Sequence, residues 1–450
     1  WEEGGGGIDF NQDGVIDLDL ASEYGVTPAQ KDLLVEIDYM DAVDHSHKPA
    51  VARLDAIVNT FRQHDVYLHY LLDESIPEVT PIRFNLMGQR PGLPPVANFG
   101  DIKLGSPVNV CGAGAHLGTA SDTTGSDCVS RRRARAISFR YTLFAHQQSN
   151  ASTTGIAEVG GNDLIVAPYE YDLLGLQAPT PAEQTKRQDR TKSYAGDRST
   201  CLVVPAVEDD LTCGYQEMHI GTFMHEFGHT LGLRHGGTDE INCKPNYPSV
   251  MSYILQLKNG NISRPLTYSD FKLDTLDETA KLNEAAGVPF YPYGDVIYGD
   301  NAGVVVAPGF HTANPMGSID WNRNGAPDAV LVSGDINNIR KFSCNGAGTE
   351  LIGADDWSNL ALGFRDRQDM NVSYTGTSID PRDENFDLAD NSSIAEGMDS
   401  DQDGVNNLVD NCILTPNPGQ EDTNGNGVGD VCERVGTFVD LGVTASASPN

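Results

Sequence analysis

The sequence predicts an α+β fold: a twisted mixed sheet, one long histidine-bearing helix, a loop-rich C-terminal subdomain and a small trailing repeat module. Three observations predict it. Two buried-strand patterns flank an amphipathic helix near the N-terminus. The stretch HEFGHTLGLRH spaces three histidines over residues 225–235. Past Asp399 apolar residues thin out in favour of Asp, Asn and Gly.

LLVEIDYM (Leu33 to Met40) reads as a buried strand. PAVARLDAIVNTFRQH (Pro49 to His64) has apolar residues at helical spacing and a proline in its first turn, and VYLHYLLD (Val66 to Asp73) reads as a second strand. Such a β-α-β unit pairs its strands in parallel. After a Gly- and Pro-rich stretch, RRRARAISFRYTLFAHQ (Arg131 to Gln147) reads as a helix. Its basic run Arg131 to Arg135 is taken as a solvated helix start in preference to a protease processing site. GIAEVGGNDLIVAP (Gly155 to Pro168) reads as two short strands with a turn at Gly160–Gly161. The polar segment from about Thr180 to Thr200 is expected as a flexible surface loop. The histidine-bearing helix is expected from about Tyr215 to Leu231, with loops dominating from there to about residue 395.

Composition narrows the function. The chain has 450 residues, enough for one large or two to three ordinary domains. Its 64 acidic against 30 basic residues give a net charge of −34. That surface repels phosphate backbones, excludes nucleic acid as a partner and favours cations. No apolar run is long enough for a membrane span. The opening WEEGGGG lacks the basic and apolar regions of a signal peptide, so the expectation is a processed or truncated chain.

Eight cysteines without a CxxC pair argue against a zinc knuckle and for disulfides formed in an oxidising compartment, with the protein secreted, extracellular or at the cell surface. Sequential pairing closes each loop within one segment: Cys111–Cys128, Cys201–Cys213, Cys243–Cys344 and Cys412–Cys432.

On a helix, residues four apart share a face, so His225 and His229 project two imidazoles the same way. Gly232 can adopt a positive φ and end the helix, and the returning chain lets His235 supply a third imidazole. Three histidines with a fourth position open to water are the donor set of a catalytic zinc. Glu226 lies beside the first ligand, within reach of a metal-bound water without being a ligand itself. Five positions are set at once, and chance occurrence in a chain this long is on the order of 10⁻⁵ to 10⁻⁴.

With that motif and YPSVMSY (Tyr247 to Tyr253), the chain resembles the metzincin metallopeptidases. The resemblance implies that Met251 packs under the three histidines as an apolar floor. It implies that Tyr253 stabilises the oxyanion or adds a ligand, and that substrate lies extended along an edge strand, for which Gly155 to Val166 is the candidate. It further implies peptide-bond hydrolysis by metal-activated water, with Glu226 as general base passing the proton to the leaving amine. Residues 30 to 365 are similar to an uncharacterised group of secreted prokaryotic metzincins. Gly236, after the third histidine, matches none of the residues that mark the known subfamilies.

A second pattern, D-x-[DN]-x-[DN]-G-x-x-[DN], places oxygen donors on alternate residues around a glycine bend, as calcium loops do. It occurs at Asp9, Asn11, Asp13 and Asp17, and again at Asp320, Asn322, Asn324 and Asp328. It occurs as an adjacent pair at Asp399, Asp401, Asp403, Asn407 and Asp410, and at Asp422, Asn424, Asn426 and Asp430. That pair, with DNC at Asp410 to Cys412 and the closing Cys432, resembles a thrombospondin type 3 repeat held by calcium and a disulfide.

The expected organisation is an N-terminal calcium-loop segment (1–30) and a catalytic domain (31–395) whose upper part runs to about 236 and whose C-terminal subdomain spans 237–395. A calcium repeat (396–436) and the start of a further domain or tail (437–450) follow. The last stretch resembles the opening of an immunoglobulin-like surface repeat, so cell-surface attachment is expected through domains beyond residue 450. The function expected is a secreted zinc endopeptidase with several structural calcium ions and a protein or peptide substrate. The alternatives are a calcium-dependent surface adhesion or structural protein with a latent or inactive metzincin fold, or a zinc amidase acting on other substrates.

Overall fold

The computed structural model describes residues 6–84, 97–105, 111–112, 114–123, 125–148, 154–168, 180–193, 210–257, 266–279, 281–299, 310–339, 344, 346, 349–363, 418–421, 423 and 431. Contacts divide the chain into two units, Trp1–Tyr374 with Ser378–Asn385, and Thr375–Thr377 with Phe386–Asn450. Most of the second unit lies outside the described residues.

The first unit is mixed α/β. After α1 (Leu20–Tyr24) come β1 (Lys31–Asp41), α2 (Val51–Arg62) and β2 (Val66–Pro77), then the short pair β3 (Ile82–Arg83) and β4 (Ala97–Asn98), and α3 (Phe99–Leu104). Next are α4 (Cys128–Ala136), β5 (Phe139–Phe144), β6 (Gly155–Ala157), β7 (Asp163–Val166), α5 (Pro181–Ser193) and α6 (Asp210–Thr230). The C-terminal half adds α7 (Tyr253–Gln256) and the two-residue to three-residue strands β8 (Leu276–Asp277), β9 (Val296–Tyr298), β10 (His311–Ala313) and β11 (Glu350–Leu351).

Five strands form one sheet in the order β2-β1-β5-β7-β6. Four run parallel and β6 is antiparallel to β7, which makes the sheet mixed. β1 is buried on both faces, as a central parallel strand must be. Leu33, Val35 and Ile37 join Leu54, Ile57 and Phe61 of α2 and Phe223, Met224 and Phe227 of α6 in one core. The opposite face packs Met40, Tyr141, Leu143 and Ile165 against Phe99 and Ile102 of α3. The buried side chains of α6 face every direction, so the helix runs through the interior rather than over a surface.

Three sequence expectations need correction. Arg131 to Gln147 is a helix only to Ala136, and Phe139–Phe144 is a strand. FRYTLF is an unbroken apolar and aromatic run, which periodicity alone does not separate from buried helix; its place between β1 and β7 decides. The basic run is not a solvated helix start. Arg132 and Arg135 are buried, Arg135 Nε lies 2.6 Å from Asp122 Oδ2, and Arg132 Nη1 donates to the Ala115 carbonyl at 2.8 Å.

The segment expected as a loop after Thr180 is helical to Ser193. Pro181 suits the first turn, Thr180 Oγ1 accepts the Glu183 N–H at 3.2 Å, and Glu183–Arg187 is an i,i+4 pair. This helix crosses α6 so closely that a Cβ on Gly214 would lie 1.9 Å from the Thr191 carbonyl oxygen. The N-terminal segment shares a core with the sheet, Leu18, Leu20 and Val26 packing with Leu34, Ala134 and Phe139.

Disulfides join Cys111 to Cys128 and Cys243 to Cys344, and Cys213 is disulfide-bonded. Cys201, Cys412 and Cys432 lie outside the described residues. No helix among the described residues is long and apolar enough to cross a membrane.

Candidate metal centre

The histidine-bearing helix starts earlier than its sequence suggests, at Asp210, and stops where expected. Gly232 takes φ +84°, its N–H donates to the His229 carbonyl at 2.8 Å, and the Leu233 N–H donates to the Gly228 carbonyl at 3.0 Å. These paired bonds are a Schellman stop, which requires a residue free to turn left-handed. The chain then doubles back through Arg234 and Gly237, whose backbones bond to each other.

Reversal brings His235 over the helix. His225, His229 and His235 each offer a ring nitrogen, and the three atoms lie within 4.8 Å of one another. All three rings are buried. His225 Nδ1 donates to the Val250 carbonyl at 2.9 Å and His229 Nδ1 to the Leu233 carbonyl at 2.8 Å. A neutral imidazole carries one N–H, so these bonds place the proton on Nδ1 and the lone pair on Nε2 in both rings. Burial, followed by the neighbouring His229, pushes His225 down to about 3, against the raising effect of its bond to Val250. Burial and then His229 and His225 hold His235 well below the ordinary histidine range. Neutral imidazoles are the form that metal binding needs.

The return loop is pinned by Lys244. Its buried ammonium donates to the Gly236 carbonyl at 2.8 Å and the Ile352 carbonyl at 2.5 Å, and pairs with Asp239 at 3.0 Å. Gly236 has no room for a side chain, because a Cβ there would sit 2.0 Å from Asp239 Oδ1. Local packing therefore accounts for the glycine after the third histidine.

Met251 is fully buried against the helix, and a Cβ on Gly228 would lie 2.3 Å from its sulfur. The turn that presents it hangs from Asp356. Tyr247 OH donates to both oxygens of that carboxylate at 3.0 and 2.8 Å, Ser249 Oγ to Oδ2 at 2.5 Å, and the Ser269 N–H to Oδ2 at 3.2 Å. Ser249 Oγ in turn accepts the Met251 N–H at 3.2 Å. Burial raises the Asp356 carboxyl's pKa, and the Ser249, Tyr247 and Ser269 donors oppose that rise. Tyr253 opens α7 with its N–H on Asn242 Oδ1 at 3.0 Å, its ring centroid 4.7 Å from that of His235 and 5.8 Å from that of His225.

Glu226 is buried and faces β6, the outermost strand of the sheet: a Cβ on Gly155 would lie 2.6 Å from both its Cγ and its Oε1. The strand approaches the carboxylate this closely because residue 155 is a glycine. Gly228, Lys244 and Asp356 have no assigned role in the sequence, and Gly155 appears there only as the start of the candidate edge strand.

The two described Asp/Asn loops share one backbone course. Gln12 and Arg323 are left-handed (φ 61° and 56°), as are Gly14 and Gly325 (φ 88° and 110°). In both, the first aspartate accepts from the fifth and sixth residues: Asp13 and Gly14 N–H to Asp9 at 3.2 and 2.7 Å, Asn324 and Gly325 N–H to Asp320 at 3.1 and 2.9 Å. Asp17 accepts the Phe10 N–H at 2.8 Å, and Asn11 Oδ1 accepts the Asp13 N–H at 2.9 Å. The side-chain amides of Asn322 and Asn324 donate to Asp328 Oδ2 at 2.8 and 2.7 Å. The candidates Asp399, Asp401, Asp403, Asn407, Asp410, Asp422, Asn424, Asn426 and Asp430 lie outside the described residues.

Among the described residues, two further groups bring potential metal ligands together: His45, His47, Glu78 and His146, and Glu36, Asp38 and Asp73. Neither was singled out in the sequence. The only local signal was the alternating histidine pair at 45 and 47, whose partners come from distant strands. No protein-family model matches the chain, and no curated protein matches it.

Proposed function

We infer that the chain is a secreted zinc-dependent endopeptidase of metzincin type. The observation that carries this reading is the convergence of three buried imidazoles, two of them tethered to backbone carbonyls, beside Glu226 and against the Met251 turn. Three nitrogen donors suit zinc, which takes a fourth ligand besides, and His225, His229 and His235 would hold it. When bound, zinc supplies a Lewis acid that acidifies water and polarises a carbonyl.

The chain's own groups do the rest. Glu226 takes the proton of the attacking water and returns it to the leaving amine. Tyr253, next to the rings of His225 and His235, supplies a phenol toward the developing oxyanion. A peptide laid along β6 would pass beside Glu226, with its backbone recognised as an added strand. The Asp/Asn loops at 9–17 and 320–328, with those at 399–410 and 422–430, would take calcium as structural ions.

The test is hydrolysis of an internally quenched peptide library by the pure protein. Cleavage is expected to stop with a zinc chelator and to return on adding zinc. Cleavage indifferent to chelation, or none from the zinc-loaded chain, defeats the reading.

Gly155→Ala is expected to lower kcat/KM for such a peptide by about 10- to 100-fold, because the added methyl displaces Glu226 or the strand. Zinc content should stay unchanged. Wild-type kinetics in this variant would mean that the carboxylate's position against β6 does not matter.

A further inference from the structure

We propose that His45, His47, Glu78 and His146 form a second zinc site, closed and structural, at the C-terminal ends of β1, β2 and β5. Four ligand atoms meet there. His45 Nε2 lies 3.0 Å from His146 Nδ1 and 3.0 Å from Glu78 Oε2. His47 Nε2 lies 3.3 Å from both His146 Nδ1 and Glu78 Oε2, and His146 Nδ1 is 3.5 Å from Glu78 Oε2. A regular tetrahedron of nitrogen and oxygen ligands around zinc has edges of about 3.3 Å. Five of the six edges here fall between 3.0 and 3.5 Å, and the sixth is within 4.8 Å.

The outer hydrogen bonds decide where the protons sit. His45 Nδ1 donates to Asp44 Oδ1 at 2.9 Å. Tyr215 OH donates to the Ser46 carbonyl at 2.9 Å and so accepts from His47 Nδ1 at 3.2 Å. With an N–H on Nδ1, His45 and His47 each turn Nε2 toward the cluster as an acceptor. A single N–H on His146 Nδ1 can point at only one of the three acceptors, these two Nε2 atoms and Glu78 Oε2, at a time, whereas a cation between them satisfies all of them. The four side chains are only 6 to 16% exposed. Three imidazoles and one carboxylate, with the His45 and His47 rings oriented from outside, are a zinc donor set.

Backbone connections show what the ion would hold. The loop carrying His45 and His47 folds back on β1 through His47 N–H to the Met40 carbonyl at 2.9 Å. Glu78 N–H bonds the Asp41 carbonyl at 3.0 Å, and His146 follows β5 directly. Tyr215 belongs to α6, ten residues and roughly 15 Å of helix before His225. The site thus ties three strand ends to the helix that presents the catalytic histidines. All four ligands come from the protein, so no position is left open for a substrate.

The experiment is zinc stoichiometry by mass spectrometry on zinc-loaded, gel-filtered protein whose folding is checked by circular dichroism. The full chain is expected to carry about two zinc ions, and the double variant His225→Ala/His229→Ala about one. In that background, cobalt loading should give the visible absorption of a tetrahedral ion, abolished by His47→Ala. If His47→Ala does not fold, Glu78→Gln, which conserves volume, reads the same site. A folded His225→Ala/His229→Ala chain without zinc overturns the proposal, as does a retained tetrahedral spectrum after loss of His47 or the Glu78 charge. A wild-type chain with about one zinc that the double variant keeps would support this site and remove the catalytic one, so the two readings fail separately.

Discussion

Glu226→Ala is expected to leave zinc content and folding unchanged while kcat/KM for peptide hydrolysis falls by about 10²- to 10⁴-fold, the range that a positioned general base supplies. The carboxylate follows His225 by one residue and packs between α6 and β6, where a Cβ on Gly155 would already collide with it. Its removal creates space without touching His225, His229 or His235, whose outer partners are backbone carbonyls for the first two and leave the helix face intact. Metal analysis and steady-state kinetics on one preparation separate the outcomes. Near-normal turnover would show that another group takes the proton; loss of zinc would show that Glu226 helps to hold it.

Asp356→Ala should have the largest effect on stability, about 3–5 kcal/mol, read as the denaturation midpoint in urea. The carboxylate accepts from Tyr247, Ser249 and the Ser269 amide, all buried. Alanine leaves three donors without an acceptor, and each such loss costs about 1–3 kcal/mol. The damage should also reach the metal centre, because Ser249 holds the Met251 N–H and Val250 holds His225. Zinc affinity is expected to fall with stability. Asp356→Asn keeps an acceptor oxygen and the shape, and should cost less. Equal stability in Asp356→Ala and wild type would mean that the turn stands without its anchor.

The histidine motif announced the convergence of its rings because helix geometry translates spacing directly into direction. Residues four apart share a face, and a glycine at 232 ends that face where the third histidine must return. The strand pair around α2 was legible for a similar reason, its strands lying beside a helix of matching polarity. Elsewhere local pattern misled. Phe139–Phe144 reads as readily as helix or strand, and only its position between β1 and β7 makes it a strand. Thr180 to Ser193 is polar enough to read as loop, yet an N-terminal cap, internal ion pairs and a crossing over Gly214 make it helix.

By itself the sequence determined the β-α-β unit, the two strands around Gly160–Gly161, the three candidate ligands with their adjacent acid, and the methionine turn. Each of these is written in local pattern, as residue spacing, an apolar run or a turn. Tertiary structure alone decided which carbonyls orient the imidazoles, that Asp356 and Lys244 brace the site, and that Gly155 and Gly228 must be bare. It also decided that His45, His47, Glu78 and His146 meet. These pairings join residues far apart in the chain, and no local propensity encodes them; the order of strands in the sheet and the path of α6 through the core bring them together.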